Sequence, residues 1–197
     1  IPVILSTGMS NLDEIEKAYD ILIDNGLNKT KISILHCTSD YPTSTNDLNL
    51  NCIKTLQEKF GNIIGFSDHS IGFEAAIAAV AIGANIIEKH ITLDRSFEGP
   101  DHIASMEPKD FINYVKLIRQ TENALGNFEK KPTQNELKTM KLVRKSIVAK
   151  KDIDIGEVFS EDNITTKRPG TGISPMLWTE LLGKTASQSY KIDELIK

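Results

Sequence analysis

Short apolar runs alternate with amphipathic stretches over the first two thirds of the chain. The runs at 2–5 (PVIL), 31–35 (KISIL), 63–66 (IIGF) and 85–87 (NII) have the length and bounding turn residues of buried strands. After the first, Leu12, Ile15, Ala18, Tyr19, Leu22 and Ile23 recur at helical spacing, which predicts a helix over 12–25. Ser10 or Asn11 would cap it, Asp13 and Glu14 suit its first turn, and Gly26 ends it. The same reading gives helices over 49–60, 72–82 and 108–125, the last opened by Pro108 in its first turn. Strand then helix, repeated, predicts a parallel α/β sheet, wound as a barrel or doubly wound. About four such units are half the complement of a (β/α)8 barrel.

Each strand run ends in a polar cluster. The first carries Ser6 and Thr7. The second carries His36, Cys37, Thr38, Ser39, Asp40 and Tyr41. The third carries Ser67, Asp68 and His69, and the fourth Glu88, Lys89 and His90. The C-terminal ends of parallel barrel strands form one rim, where active sites are built. His69 and His90 are therefore expected on a shared rim. Two imidazoles so placed can meet one divalent ion of the transition series, with Asp68 and Glu88 expected to orient the rings. Asp101 and His102 follow Gly99-Pro100, a pair that turns the loop back toward the rim. A carboxylate there could hold sugar hydroxyls or a metal-bound water. Ser6, Ser39 and Ser67 are potential donors to a phosphate or carboxylate. His36 lies within its strand and reads as a hydrogen-bonded core histidine.

Near residue 127 the texture changes. NFEKKPTQ is polar, contains Pro132 and reads as a linker, with a short helix over 136–143. Beyond it lie strand 146–149, a turn at 152–157, short strands at 158–160 and 164–167, and a helix over 175–182 closed by Gly183. The predicted organisation is a barrel part over 1–126, a linker over 127–143 and a β-rich module over 144–197. That module is close to the lower size limit for independent folding. Arg168, set in a rigid Arg-Pro-Gly turn, suits bidentate recognition of an oxygen-rich ligand.

Composition narrows the function classes. A net charge of −4 in 197 residues does not point to nucleic acid. No apolar run approaches the roughly 20 residues needed to cross a bilayer, and the start carries no signal-peptide pattern. Cys37 and Cys52 sit in apolar settings without CxxC spacing, which predicts free thiols in a reducing cytoplasm. The chain opens on Ile1, not Met, directly into a strand-like run, and is expected to be part of a longer protein.

The segments STGM, LHCTSDYP, GFSDHS, IEKHITLD and EGPDHIASMEP resemble, in order, the C-terminal half of the barrel in the sialic acid synthase family. The tail KSIVAKKDIDIGEVFSEDNITTKRPGTGISP resembles that family's antifreeze-like (SAF) domain. The resemblance implies a TIM-barrel half followed by a β-clip SAF domain. It also implies condensation of phosphoenolpyruvate with an open-chain N-acetylated hexosamine. The enol carbon attacks the sugar aldehyde, water adds to the oxocarbenium carbon, and phosphate leaves by C–O cleavage. The resemblance puts N-acetylmannosamine first, giving N-acetylneuraminate, with a 2,4-diacetamido-6-deoxy sugar, giving legionaminate or pseudaminate, as the alternative.

By the same resemblance His69 and His90 bind the metal, Mn2+ first, with Mg2+ or Co2+ as substitutes. Asp101 is the sugar-site carboxylate, and with the two histidines it makes the catalytic set. Tyr41 contacts the sugar, and Ser67 lies at a ligand-contacting strand end. Arg168 reaches the N-acetyl group across a homodimer, from a SAF domain that caps the partner's barrel. The barrel half carrying most phosphoenolpyruvate contacts has no counterpart in these residues, so the chain alone is expected to be inactive. Two other readings stay open: a sugar-binding module without turnover, and another barrel aldolase using the same histidines, which the SAF-like tail argues against.

Overall fold

The computed structural model describes residues 1–197 and divides into two compact units, Ile1–Asn127 and Phe128–Lys197. The first is a curled parallel half-barrel sheet with helices on one face. Its strands are β1 (Val3–Ser6), β2 (Ile32–Cys37), β3 (Ile63–Asp68) and β4 (Ile86–Lys89), in the order β1-β2-β3-β4. Its helices are α1 (Leu12–Asp24), α2 (Cys52–Phe60), α3 (Glu74–Ala81) and α4 (Pro108–Leu125). A capping box starts α1: the Glu14 N–H donates to Asn11 Oδ1 at 3.1 Å, and the Asn11 N–H donates to Glu14 Oε2 at 2.8 Å.

Strand alternation sorts the side chains. Ile32, Ile34, Ile64 and Phe66 face the helices and form one core with Ile15, Ile53, Leu56, Ala75 and Ala79. A second cluster of Ala76, Val80, Met106, Tyr114 and Ile118 joins α3 to α4. The opposite face carries Leu35, Cys37, Gly65, Ser67, Ile86 and Glu88. Strands β2, β3 and β4 each run two residues past their apolar runs. Cys37 pairs in register with Ser67, and Ser67 with Glu88, so the polar clusters belong to the ladder and are fixed by it.

Gly65 sits where three strands crowd together. A Cβ there would lie 2.5 Å from the Ile86 carbonyl oxygen and 2.5 Å from Leu35 Cδ2. The backbone oxygen cannot rotate away, so Gly65→Ala should destabilise by about 1–3 kcal/mol. At roughly 2–4 °C per kcal/mol for a chain of this size, thermal melting should fall by about 2–12 °C. An unchanged melting temperature would show that the strands can part at no cost.

The second unit holds α5 (Gln134–Val143), an antiparallel pair β5 (Ser146–Ala149) and β6 (Ile164–Lys167), and the short helix α6 (Trp178–Leu181). Within the stretch read as linker, α5 starts two residues before the expected helix. The reason is a second capping box, in which Thr133 and Glu136 bond reciprocally. The expected strand at 158–160 is instead an isolated bridge, Val158 to Thr185. The core gathers Ile147, Ala149, Ile153, Phe159, Ile164, Leu181, Ala186, Tyr190 and Ile196. Both cysteines are free thiols, and no helix is long and apolar enough to cross a membrane.

Candidate active site

His69 and His90 are the first residues past β3 and β4, and their rings come together, 5.2 Å between centroids and nearly perpendicular at 73°. Each backbone is tied to a different loop. The Thr43 N–H donates to the His69 carbonyl at 2.9 Å, and the Met106 N–H to the His90 carbonyl at 3.0 Å.

Tyr41 packs against both rings. It stacks on His90 with centroids 4.4 Å apart and meets His69 edge-on at 5.2 Å. Its hydroxyl lies 3.2 Å from Ser105 Oγ. The Ser105 hydroxyl spends its one hydrogen on the Asp101 carbonyl at 2.7 Å, so Tyr41 is the donor of this pair. Burial pushes the Tyr41 hydroxyl above the ordinary tyrosine range, and the Ser105 bond draws it part of the way back, which keeps the proton in place. Ser105 is itself held by Arg95, whose Nε donates to its carbonyl at 2.9 Å.

Ser67 is buried and donates to Glu88 Oε1 at 2.6 Å, leaving its oxygen 3.5 Å from His69 Nε2. Glu88 thus acts on the His69 side of the site through Ser67. Asp68 does not orient His69. It occupies the helix-facing phase set by Ile64 and Phe66, and its carboxylate bonds Ser70 and Tyr114 and pairs with Lys89. Burial holds the Lys89 ammonium below its usual range, and Asp68 pulls it back up. Cys37 Sγ lies 3.9 and 4.0 Å from the His69 ring nitrogens.

Asp101 is exposed, with Oδ2 3.9 Å from His90 Nδ1. The loop after Gly99-Pro100 does return to the rim, but at this distance the carboxylate is not hydrogen-bonded to the ring. Ser39 borders a cavity of about 480 Å3 with Thr7, Cys37 and Asp40. A Cβ on Gly8 would fall 2.0 Å from Ser39 Oγ, so a side chain there would force the Ser39 hydroxyl to turn away. Ser6 is exposed at the end of β1, two strands from His69. His36 is buried and bonded through Nε2 to the Leu48 carbonyl at 2.7 Å. In the second unit Arg168 is exposed, and its Nε donates to the Val143 carbonyl at 2.9 Å. Ser105 and Arg95 carry no signal in the sequence, since Tyr41 and Ser105 meet only through the fold.

No three His, Cys, Asp or Glu side chains converge closely enough to form a complete metal cage. The donor set is two imidazoles at one spot, which suits a divalent ion whose remaining positions are filled by water or substrate oxygen. An open position is also what Lewis-acid work needs.

Residues 1–130 match the model of the NeuB family, and residues 144–197 match the SAF domain. The N,N'-diacetyllegionaminic acid synthase of Campylobacter jejuni is 50% identical over 195 residues, 99% of this chain and 58% of that protein. The human N-acetylneuraminate-9-phosphate synthase is 36% identical over 197 residues, 99% of this chain and 54% of that protein. Among solved structures, the N-acetylneuraminic acid synthetase of Leptospira borgpetersenii is 40% identical with a TM-score of 0.63, covering 70% of this chain and 47% of that one. The chain thus spans little more than half the length of the curated relatives it matches. With the family model on the half-barrel and the SAF model behind it in sequence, the chain belongs to the NeuB family of sialic-acid-type synthases.

Proposed function

We propose that this chain supplies the metal- and sugar-binding rim of a synthase. The reaction joins phosphoenolpyruvate to an N-acetylated hexosamine, giving a nine-carbon α-keto acid and phosphate. The observation that carries the proposal is the meeting of His69, His90 and Tyr41 on one rim, at 4.4 to 5.2 Å between ring centroids. A divalent ion held by His69 and His90, Mn2+ in the first instance, would polarise the sugar carbonyl as a Lewis acid.

The protein groups have separate tasks in this reading. Tyr41 walls the site and fixes both ring planes. The exposed Asp101 carboxylate is available to sugar hydroxyls beside His90. Ser67 and Glu88 form an acceptor pair at the β3 and β4 ends, and Ser6 and Ser39 offer donors toward the phosphate and carboxylate of phosphoenolpyruvate. Arg168 holds the N-acetyl carbonyl in a partner's site of a cytoplasmic homodimer. The alternative of another barrel aldolase using the same two histidines is disfavoured by the SAF domain matched over residues 144–197.

The Campylobacter relative at 50% identity and a Legionella pneumophila relative at 42% are both named N,N'-diacetyllegionaminic acid synthase. This favours a 2,4-diacetamido-6-deoxy sugar over N-acetylmannosamine. The test offers the protein, as its gene encodes it, phosphoenolpyruvate and Mn2+ with each sugar in turn: N-acetylmannosamine, its 6-phosphate and the diacetamido sugars. Phosphate release and product mass are measured. The diacetamido sugar should be preferred by about 10-fold or more in kcat/KM, since a polar site loses heavily when a hydrogen-bonding group is missing. Preference for N-acetylmannosamine would correct the sugar and keep the reaction. No sugar-dependent phosphate release would reject the synthase reading.

A further inference from the structure

Directly before each histidine stands a charged residue on the other face of the sheet. Asp68 and Lys89 are register partners, the last pair of the β3–β4 ladder. Their side chains are 0% and 2% exposed, and Lys89 Nζ lies 3.2 Å from Asp68 Oδ2. The Tyr114 hydroxyl, on α4, donates to that same oxygen at 2.7 Å. Asp68 Oδ1 accepts the Ser70 N–H at 2.9 Å and the Ser70 hydroxyl at 2.6 Å. Lys89 also donates to the Ser70 carbonyl. The residues on either side of His69 are therefore both gripped by the residue before His90.

A buried ion pair is a weak source of stability, because desolvation offsets most of the Coulomb gain, and apolar residues of similar volume often do as well. The apolar surroundings are at hand: Tyr114 packs against Phe73 and Phe111, 6.3 and 6.1 Å between centroids. What apolar packing lacks is direction. The backbone ladder ends at Asp68 and Lys89, and past it the two histidine carbonyls are bonded to two separate loops. Only oriented bonds can carry the pairing of β3 and β4 one residue further, to where the imidazoles stand.

We infer that Asp68, Lys89, Ser70 and Tyr114 form a positioning clamp that sets the separation of His69 and His90 from the helix side of the sheet. The inference rests on reading the two histidines as one site. None of the four side chains needs to touch a ligand.

The test compares wild type, the double variant Asp68→Leu/Lys89→Met, which leaves no orphaned charge, and Tyr114→Phe, which keeps the ring and the ion pair. Three quantities are read on the protein as encoded: thermal melting, the imidazole-to-imidazole NOE between His69 and His90 in metal-free labelled protein, and Mn2+ affinity. Melting in the double variant should stay within about 5 °C of wild type. The NOE should collapse and Mn2+ affinity should fall by about 10- to 100-fold, the usual effect of losing a group that orients ligands. Tyr114→Phe should move the last two readouts in the same direction by less, and it decides the matter if the double variant fails to fold. An intact NOE with unchanged Mn2+ affinity in either folded variant overturns the clamp. If the NOE behaves as expected but wild type binds no Mn2+, the clamp stands and the metal reading fails.

Discussion

His90→Ala should lose about a thousandfold or more of the sugar-dependent kcat/KM in the intact synthase. The proposed ion is asked for several kcal/mol of charge stabilisation on the sugar carbonyl, and each 1.36 kcal/mol is tenfold. One imidazole cannot hold a weakly bound ion such as Mn2+ in place. His69→Ala should behave alike, and a chelator should bring wild type close to the same level, with recovery on adding Mn2+ back. Because the His90 side chain is 37% exposed, its loss should hardly move the melting temperature, which separates a chemical role from a structural one. Full turnover of a metal-stripped His90→Ala protein would end the two-histidine reading.

Arg168→Ala should weaken sugar use by about 10- to 150-fold while leaving phosphoenolpyruvate and Mn2+ affinity nearly unchanged. The figure is the loss of one charge-donated hydrogen bond, about 1.5–3 kcal/mol. The cross-subunit part of the proposal is tested by mixing two impaired proteins, Arg168→Ala and His69→Ala. Random pairing in a twofold dimer leaves one site free of both lesions in each mixed pair, or about a quarter of wild-type activity. If exchange is demonstrated and the mixture stays inactive, the arginine serves its own chain.

The two histidines were legible because a strand run followed by a polar cluster marks a rim position, and two such clusters fell on adjacent strands. Asp68 was misassigned although the sequence contained the correction. Ile64 and Phe66 set the helix-facing phase, Asp68 continues it, and period-two alternation sends His69 the other way. The apolar run ends at Phe66, and a run alone does not show that the strand and its phase continue to Asp68. Tyr41 was placed at the site, but not its bond to Ser105 or the Arg95 that holds Ser105, because no local period relates residues so far apart. In the second unit the short bridges, such as Val158 to Thr185, are too brief to leave a strand pattern. The start of α5 is spelled by Thr133 and Glu136, a capping box that lies outside the apolar pattern of the helix.

The bond from Arg168 to the Val143 carbonyl ties a side chain to a helix end. Val143 is the last residue of α5, and Gly170 donates to the carbonyl of Lys141, two residues back, at 2.7 Å. The 168–170 turn thus supplies the hydrogens that the helix end lacks, and the guanidinium rests on the negative end of the helix dipole. Immobilising a long side chain on binding commonly costs about 0.5–1.5 kcal/mol. Here the bond from Nε to the helix end already restrains the exposed arginine. A lysine could match the charge but has no second edge with which to be both helix cap and ligand fork; in the proposed role of Arg168, an incoming acceptor would meet an arginine already anchored before it arrives.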